Sequence, residues 1–319
     1  MFHFYVKQNK MNVDKTNETF LSSNGVDRIH YFVYRPTANI KGVLQISHGM
    51  CEHIERYQDF AAFLAQNGFV VYAHDHLGHG HTAKDKAHLG YFGDKNGWQY
   101  LVEDLYQVTK LARMEYPFHK VFLLGHSMGS FIARLYMMKY GSKVDGVILS
   151  GTSGGHQLNN VGLAVIDLWI KVKGPLYRSK TIDKMLFGDY NKRYPHVNTN
   201  SDWISRDPLI VDAYIKDEYN TFTFTNAGFK DLMTMLKMVS DERWAFAVPK
   251  AVPVYLFAGD MDPVGDYGKG VKKVYDRLAE AGVQDLKIKL YPEGRHEMLN
   301  EINRLEVYYD VLNWMMERI

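Results

Sequence analysis

The sequence has only one cysteine, Cys51, so no disulfide can form within the chain. A disulfide-stapled secreted scaffold is therefore excluded. Blocks of one charge sign are also missing: 38 basic and 36 acidic residues are interspersed and leave a formal net charge of +2. Because nucleic-acid binding needs clustered positive charge, we expect no nucleic-acid partner.

Long apolar runs are absent as well. No segment approaches the roughly 18 uninterrupted apolar residues that cross a membrane. The opening stretch, MFHFYVKQNKMNVDKTNETF, lacks the continuous apolar core of a signal peptide. We therefore expect a soluble cytoplasmic protein. Met11 opens a polar run and is an alternative start, in which case residues 1–10 are an upstream extension.

Short β-forming runs alternate with helical periodicity along most of the chain. The helical patterns lie near residues 98–116, 269–281 and 301–318. This alternation predicts an α/β fold, a mostly parallel sheet flanked by helices. The β-forming runs are RIHYFVYRP, GVLQISHG, FVVYAHD, VFLLGHS, VDGVILSG, VPVYLFAGD and LKIKLYP.

The alternation stops between residues 152 and 248 and then resumes. We interpret this interval as a mainly helical cap, inserted after the sixth strand into a core formed by residues 1–151 and 249–319. One predicted cap helix has apolar residues at helical spacing, namely Leu158, Val161, Val165, Leu168 and Val172. A buried helix is the simpler interpretation, and an apolar lip over a binding site, touching a membrane surface, is the alternative.

The segment GHSMG, residues 125–129, matches the G-x-S-x-G motif, in which a serine lies on a sharp turn between a strand and a helix. A β-forming run ends directly before it, and Phe131, Leu135 and Met138 follow at helical spacing. The flanking glycines relieve crowding where the backbone bends. The motif and its context predict that Ser127 is a nucleophile.

A serine hydroxyl needs a base to remove its proton and an acidic group to orient that base. In this motif's usual setting the chain order is serine, acid, histidine. Asp262 follows one predicted strand and His296 follows the next, and parallel sheets place their sites in such loops. Asp260 competes with Asp262, since either could cap a turn before Pro263.

The negative oxygen that forms during attack on a carbonyl needs two backbone N–H donors. One comes from the residue after the nucleophile and the other from a loop after an early strand. These rules predict an oxyanion hole made by the amides of Met128 and Met50.

A group of histidines and the single cysteine each have a functional and a structural interpretation. Histidines at positions 74, 76, 79 and 81 suggest a metal site, but they lie in one Gly-rich loop without a separated second ligand set. Turn formation and hydrogen bonding explain them better, and we expect neither a metal nor a cofactor. Cys51 lies beside the predicted oxyanion donor, where a small buried apolar residue is the simpler interpretation and a modifiable thiol is the alternative.

Together these residues resemble the α/β-hydrolase superfamily. Within it, the chain is most similar to the monoacylglycerol lipase and lysophospholipase group, also classed with serine aminopeptidase-like hydrolases. The resemblance covers residues 20–318, and the cap segments SDWISRDP and FTFTNAGFKDL are similar to bacterial members. The motifs that carry it are HGMCEHIERY, DHLGHGHT, GHSMG, GDMDPVG and YPEGRHEMLNE.

The resemblance implies a catalytic triad of Ser127, Asp262 and His296, and it favours Asp262 over Asp260. It also implies oxyanion donors at Met50 and Met128. A structural segment beside the oxyanion loop is implied as well, with Glu52, Arg56 and Tyr57 as its members.

We expect a serine esterase that cleaves carboxylic esters through an acyl-enzyme, with a monoacylglycerol or lysophospholipid as substrate. An aminopeptidase, a thioesterase or an acyltransferase would use the same triad, and a ligand-binding protein on a hydrolase scaffold is a further alternative. A small acyl ester or lipid is the expected partner, with transient contact between the cap and a membrane surface.

Overall fold

An eight-stranded sheet forms the centre of the computed structural model, which describes residues 13–37, 39–155 and 159–319, with side chains from 162 onward in the last range. The strand order is β1-β2-β4-β3-β5-β6-β7-β8. β1 and β2 are antiparallel to their neighbours, and the remaining pairs are parallel. The strands are β1 Asp14–Leu21, β2 Arg28–Arg35, β3 Gly42–Ser47, β4 Phe69–His74, β5 Lys120–His126, β6 Gly146–Ser150, β7 Val254–Gly259 and β8 Leu286–Tyr291.

Helices cover both faces of the sheet, each with its own apolar core. One core includes residues of α1 and α9, and the other includes residues of α2, α3 and α8. Strands buried on both faces must be apolar throughout, which explains the continuous β-forming runs of β3 to β7. The helices are α1 Gln58–Gln66, α2 Gly97–Glu115, α3 Met128–Tyr140, α4 Asn159–Lys173, α5 Lys180–Phe187, α6 Pro208–Lys216, α7 Asn226–Ser240, α8 Lys269–Glu280 and α9 Arg304–Met316.

The predicted fold class is confirmed, and each of the seven β-forming runs contains a strand of the sheet. The sequence predictions do not include β1, most of which lies in the polar run that begins at Met11. β1 is an edge strand with most of its side chains exposed, so it has no apolar face to reveal it. Residues 1–10, the predicted extension, lie outside the described residues.

Between β6 and β7 the chain forms α4 to α7 and short turns. Within the described part of residues 152–248 there is no β-strand. α7 packs on α2 and α3, so this segment lies on the same face of the sheet as those helices. The division into core and cap stays an interpretation. No helix in the described ranges is long and apolar enough to cross a membrane.

The apolar pattern in α4 does not form a buried stripe. Leu168 is 61% exposed and Val172 is 66% exposed, whereas Ile166 is fully buried. The buried-helix interpretation is therefore wrong for Leu168 and Val172, because α4 turns Ile166 toward the core. Leu158 and the side chain of Val161 lie outside what the structure describes.

One buried arginine connects the elements on either side of this segment. Arg134 of α3 is fully buried and donates from Nη1 to the Ser153 carbonyl at 2.9 Å, just after β6. Its Nη2 donates to the Val239 carbonyl near the end of α7, and its guanidinium lies 4.2 Å from the ring centre of Trp244. Both ends of the inserted segment therefore contact the same side chain.

Candidate active site

Ser127 lies at the turn where β5 ends and α3 begins. Its φ of +50° and ψ of −119° are unusual for a residue with a side chain. A methyl group at Gly129 would lie 2.1 Å from the Ser47 carbonyl oxygen, so only glycine allows the helix to begin this close to β3. Ser127 is partly exposed among buried neighbours. The turn therefore presents the hydroxyl at the carboxyl edge of the sheet.

Two backbone amides near this serine are available to a ligand. Within the described residues, neither the Met50 nor the Met128 amide has a hydrogen-bond acceptor. Met128 is the first residue of α3, where amides lack helical partners and the helix dipole favours negative charge. The Met50 loop passes the serine, since a Cβ at Gly49 would lie 3.0 Å from the Ser127 Cβ.

Asp262 and His296 form a buried pair. His296 Nδ1 lies 3.0 Å from each carboxylate oxygen of Asp262, and the two residues are 2% and 0% exposed. The Val264 amide also donates to Asp262, at 2.9 Å. Asp260, the competing acid, forms no hydrogen bond or ion pair with His296 among the described residues, and its amide donates to the Tyr291 carbonyl at 3.0 Å.

The surroundings of His296 change its affinity for a proton. Burial alone would lower the pKa of His296, but the charge and hydrogen bond of Asp262 raise it, with help from Glu297 and Glu52. The net direction is upward. The imidazole is therefore a stronger base than an isolated histidine.

Ser127 and His296 are neighbours without a direct hydrogen bond between their described side chains. The ring of His126, the residue before Ser127, lies 4.7 Å from the His296 ring. A Cβ at Gly151 would lie 3.0 Å from one atom of His296 and 3.2 Å from one atom of His126. Hydrogen bonds of this kind are often loose before substrate binds. The structure thus brings the Asp262–His296 pair close to the turn that carries Ser127. Among the described residues, the Ser127 hydroxyl has no hydrogen-bond partner.

An ionic network joins the oxyanion loop to the His296 loop. Arg56 donates to both carboxylate oxygens of Glu297 at 2.5 Å and to Glu52 at 3.2 Å. Glu52 in turn accepts from the Gly49 amide and, at 2.7 Å, from the Tyr57 hydroxyl. Charges buried this well need such partners. The family resemblance implied a structural segment with Glu52, Arg56 and Tyr57, but it did not indicate their connection to Glu297, next to His296.

The histidines after β4 lie beside the oxyanion loop. His76 Nε2 lies 3.0 Å from Ser47 Oγ, and the Cys51 amide donates to His79 Nε2 at 3.4 Å. Burial lowers the pKa of His74 and of His79 to about 4, so both rings are neutral. In the part of the chain that the structure describes, no group of three or more His, Cys, Asp or Glu residues could hold a metal ion.

Cys51 is a buried free thiol. Its Sγ donates to the Phe222 carbonyl of the inserted segment at 3.1 Å, and burial raises the pKa of the thiol well above its usual value. A protonated, buried thiol is a poor nucleophile. This environment matches the simpler of the two interpretations of Cys51.

The inserted segment contributes contacts that the sequence did not reveal. The Trp203 ring lies 5.0 Å from the His296 ring, and the Tyr194 hydroxyl donates to the Met261 carbonyl at 2.8 Å. The motif SDWISRDP contains Trp203, but no periodicity links it to a histidine that lies far along the chain. These two residues connect the inserted segment to His296 and to Met261, the residue before Asp262.

A serine at a strand-to-helix turn, with an acid and a histidine after two later parallel strands, defines the α/β-hydrolase class. The model of the Hydrolase_4 family, described as serine aminopeptidase S33, matches residues 38–303. The chain therefore belongs to this family.

Three similar proteins illustrate the family. A crystal structure of a thermostable carboxyl esterase from Bacillus coagulans has a TM-score of 0.90 and 34% identity, covering 96% of this chain and 99% of the other. A monoacylglycerol lipase of Mycolicibacterium smegmatis is 29% identical over 96% of this chain and 98% of its own. The monoglyceride lipase of Homo sapiens is 27% identical over 89% of this chain and 86% of its own.

Proposed function

We propose that this protein is a serine hydrolase of carboxylic esters, with Ser127 as nucleophile, His296 as general base and Asp262 as the group that orients it. The observation that carries the proposal is the buried Asp262–His296 pair beside a strained Ser127, with two amides lacking acceptors among the described residues. Ester-cleaving relatives along nearly the whole chain support the same reaction.

In the first half of the reaction, Ser127 Oγ attacks the ester carbonyl carbon while its proton moves to His296 Nε2. The carbonyl oxygen becomes negative and accepts hydrogen bonds from the Met50 and Met128 amides. Asp262 stays ionised and stabilises the imidazolium. When the carbon–oxygen bond to the alcohol breaks, His296 returns the proton to the leaving alcohol, and the acyl group remains on Ser127.

In the second half, water attacks the acyl-enzyme. His296 Nε2 takes a proton from the water as its oxygen bonds to the acyl carbon, and the same two amides hold the second negative oxygen. The bond from the acyl carbon to Ser127 Oγ then breaks, and His296 passes the proton to Oγ. The products are a carboxylic acid and the free enzyme. The raised pKa of His296 favours this role, because a stronger base removes the proton more readily.

A monoacylglycerol or a lysophospholipid is the proposed substrate. Relatives named as monoacylglycerol lipases support it, and so does the outer surface of the inserted segment. That surface exposes a group of apolar side chains, namely Leu168, Val172, Leu176, Tyr177 and Met185. Exposed lysines lie among these apolar side chains: Lys171, Lys173, Lys180 and Lys184. Within the described residues, none of these lysines forms an ion pair with an acidic side chain.

Apolar side chains flanked by lysines suit the surface of a lipid aggregate, where such substrates reside. We therefore propose that this face of the cap makes transient contact with a membrane. A cytoplasmic location stays a prediction from the sequence.

A second candidate is an aminopeptidase, which the description of the matched family favours. The same residues would attack an amide instead of an ester. Rates on monoacylglycerols, lysophospholipids and aminoacyl nitroanilides, measured side by side with acyl chains from two carbons upward, distinguish the two candidates and define the preferred acyl length.

The central test is Ser127→Ala. We expect kcat on short nitrophenyl esters to fall by roughly 10⁵–10⁶, as in related triads. A fluorophosphonate probe should label the native protein and leave the variant unlabelled. Ser142→Ala, at an exposed serine beyond the end of α3, is the matched control and should behave like the native protein. Native turnover in Ser127→Ala would overturn the proposal, and a ligand-binding role would then be favoured.

A further inference from the structure

We propose that Trp203 is a positioning residue for His296, so that the inserted segment sets the orientation of the base as well as access to the site. This inference rests on the proposed function, since it requires His296 to act on Ser127. It assigns a role to a residue of the single-turn helix Asp202–Ile204.

Two aromatic rings contact the His296 imidazole. His126 from the core lies at 4.7 Å between ring centres, and Trp203 lies at 5.0 Å with a 39° angle between the planes. Trp203 is itself supported by Tyr190, at 4.9 Å and 73°. These separations are those of favourable aromatic pairs. The imidazole therefore contacts one ring from the core and one ring from the inserted segment.

The backbone makes the same connection. The amide of His296 donates to the Trp203 carbonyl at 3.3 Å, and the amide of Glu297 donates to the Ile204 carbonyl at 2.7 Å. One residue further, Ser205 Oγ donates to the Asn300 carbonyl at 3.0 Å. The loop that carries the base is thus hydrogen-bonded to the segment that carries Trp203 at three successive positions.

A buried carboxylate anchors both loops. Glu301 is fully buried and accepts from the Arg206 amide and from Arg206 Nε, each at 3.0 Å. It also accepts from the Arg295 amide at 3.0 Å, next to His296. Since one carboxylate holds both chains, displacing the Trp203 segment would disturb the His296 loop directly.

Asp262 alone does not determine the orientation of the imidazole. Both of its oxygens lie 3.0 Å from Nδ1, and a contact at this single ring atom does not by itself fix the plane of the ring. The outer torsion of histidine has a broad energy profile, so packing against the ring faces decides the tilt. Trp203 supplies such packing and fixes where Nε2 points.

The experiment replaces Trp203 by residues that fill space with or without a flat ring, and follows hydrolysis of a short, water-soluble nitrophenyl ester. Trp203→Leu and Trp203→Met remove the ring, whereas Trp203→Phe keeps one. Trp169→Leu is the matched control, because Trp169 stacks on Tyr177 in the same segment. Circular dichroism and thermal melting establish that each variant is folded at the assay temperature.

We expect kcat to fall by roughly 10- to 100-fold in Trp203→Leu and Trp203→Met, since small misplacements of a reacting group have effects of this size. KM should change by less than about threefold, because bound substrate does not depend on the tilt of the base. Trp203→Phe should restore kcat to within about threefold of the native value, and Trp169→Leu should match the native protein.

Labelling of Ser127 by a fluorophosphonate should slow in parallel with kcat. A loss that appears in KM instead, or equal losses in the Phe and Leu variants, would overturn the positioning role and indicate general structural support. If one ring-less variant fails to fold, the other decides the outcome. Should Ser127→Ala retain activity, the proposed function itself fails, whereas an inactive Ser127→Ala with a fully active Trp203→Leu rejects this inference alone.

Discussion

The two sides of the candidate site are built differently. On the core side, Ser127 and the Met128 amide are set by the backbone of β5 and α3, and Asp262 follows a strand that is buried throughout. On the side of the inserted segment, contacts come from single side chains on short helices and turns, and Leu168 and Val172 face outward. In our two proposals the core supplies the reacting groups, and the inserted segment contacts the histidine that acts as the base.

The largest expected effect lies on the core side. Asp262→Asn should lower kcat on any ester by roughly 10³–10⁴, because an amide cannot stabilise the imidazolium or hold the correct tautomer. Asp260→Asn is the control, as Asp260 forms no hydrogen bond or ion pair with His296 among the described residues, and it should keep kcat close to native. Steady-state kinetics on a short nitrophenyl ester measures both, and comparable losses in the two variants would contradict the assignment of the acid.

A second core property is the pH dependence of the reaction. The base must be neutral to accept a proton, and the pKa of His296 lies above the usual value of about 6.5. We therefore expect kcat/KM to fall tenfold per pH unit on the acidic side, with the midpoint above pH 6.5. Val172→Ser, on the outer surface of α4, should show the same midpoint. An acidic midpoint well below 6 would show that His296 is not the titrating base.

On the side of the inserted segment the expected effect is confined to lipid surfaces. The double variant Leu168→Ser and Val172→Ser should bind anionic vesicles at least tenfold more weakly, because full burial of one such side chain contributes about 1.5–3 kcal/mol and a loss of about 1.4 kcal/mol is already tenfold. Hydrolysis of a soluble short ester should be unchanged. Phe118→Ser is the control, since Phe118 is 97% exposed. It lies just before β5, at the end of the strands opposite the candidate site. Equal vesicle binding by the double variant and the Phe118→Ser control would contradict a specific role of the α4 surface in membrane contact.

The smallest effect concerns the junction between the two sides. Burial raises the pKa of Asp231, on α7, to about 7, although the amides of Trp98 and Gly97 at the start of α2 partly oppose the shift. A carboxyl with a raised folded pKa binds more protons in the folded state, so its contribution to stability declines as pH rises from about 4 to 7. Asp231→Asn should therefore melt a few degrees higher than the native protein at pH 8.

The same melting comparison at pH 4 should show a much smaller difference, because the carboxyl is then protonated in the folded state and about half protonated in the unfolded state. A variant that is less stable than the native protein at pH 8 would mean that the charged carboxylate at the start of α2 is favourable overall.

The core could be predicted from the sequence because its chemistry coincides with strong local patterns. The GHSMG motif joins a continuous apolar strand to a helical repeat, and Asp262 and His296 each follow such a strand. Parallel strands bring these ends to one edge whatever the exact packing. β1 was not predicted, because an exposed edge strand has no alternation of apolar and polar residues.

The inserted segment could not be predicted in the same way. Its helix α4 carries apolar residues on several faces, so spacing alone did not distinguish the buried Ile166 from the exposed Leu168. The contact of Trp203 with His296 joins residues far apart in the chain through a single turn of helix. Such contacts depend on how loops meet in space, which periodicity does not encode.

The position of Arg134 has a mechanical consequence. Its guanidinium holds the chain both where it departs from the core, at Ser153, and where it returns, near Val239 and Trp244. A segment held at two adjacent points can rotate about them but cannot separate from the core as a rigid body. If the inserted segment moves when a substrate enters, these contacts predict a larger displacement in α4 and α5 than in α3, which carries Arg134.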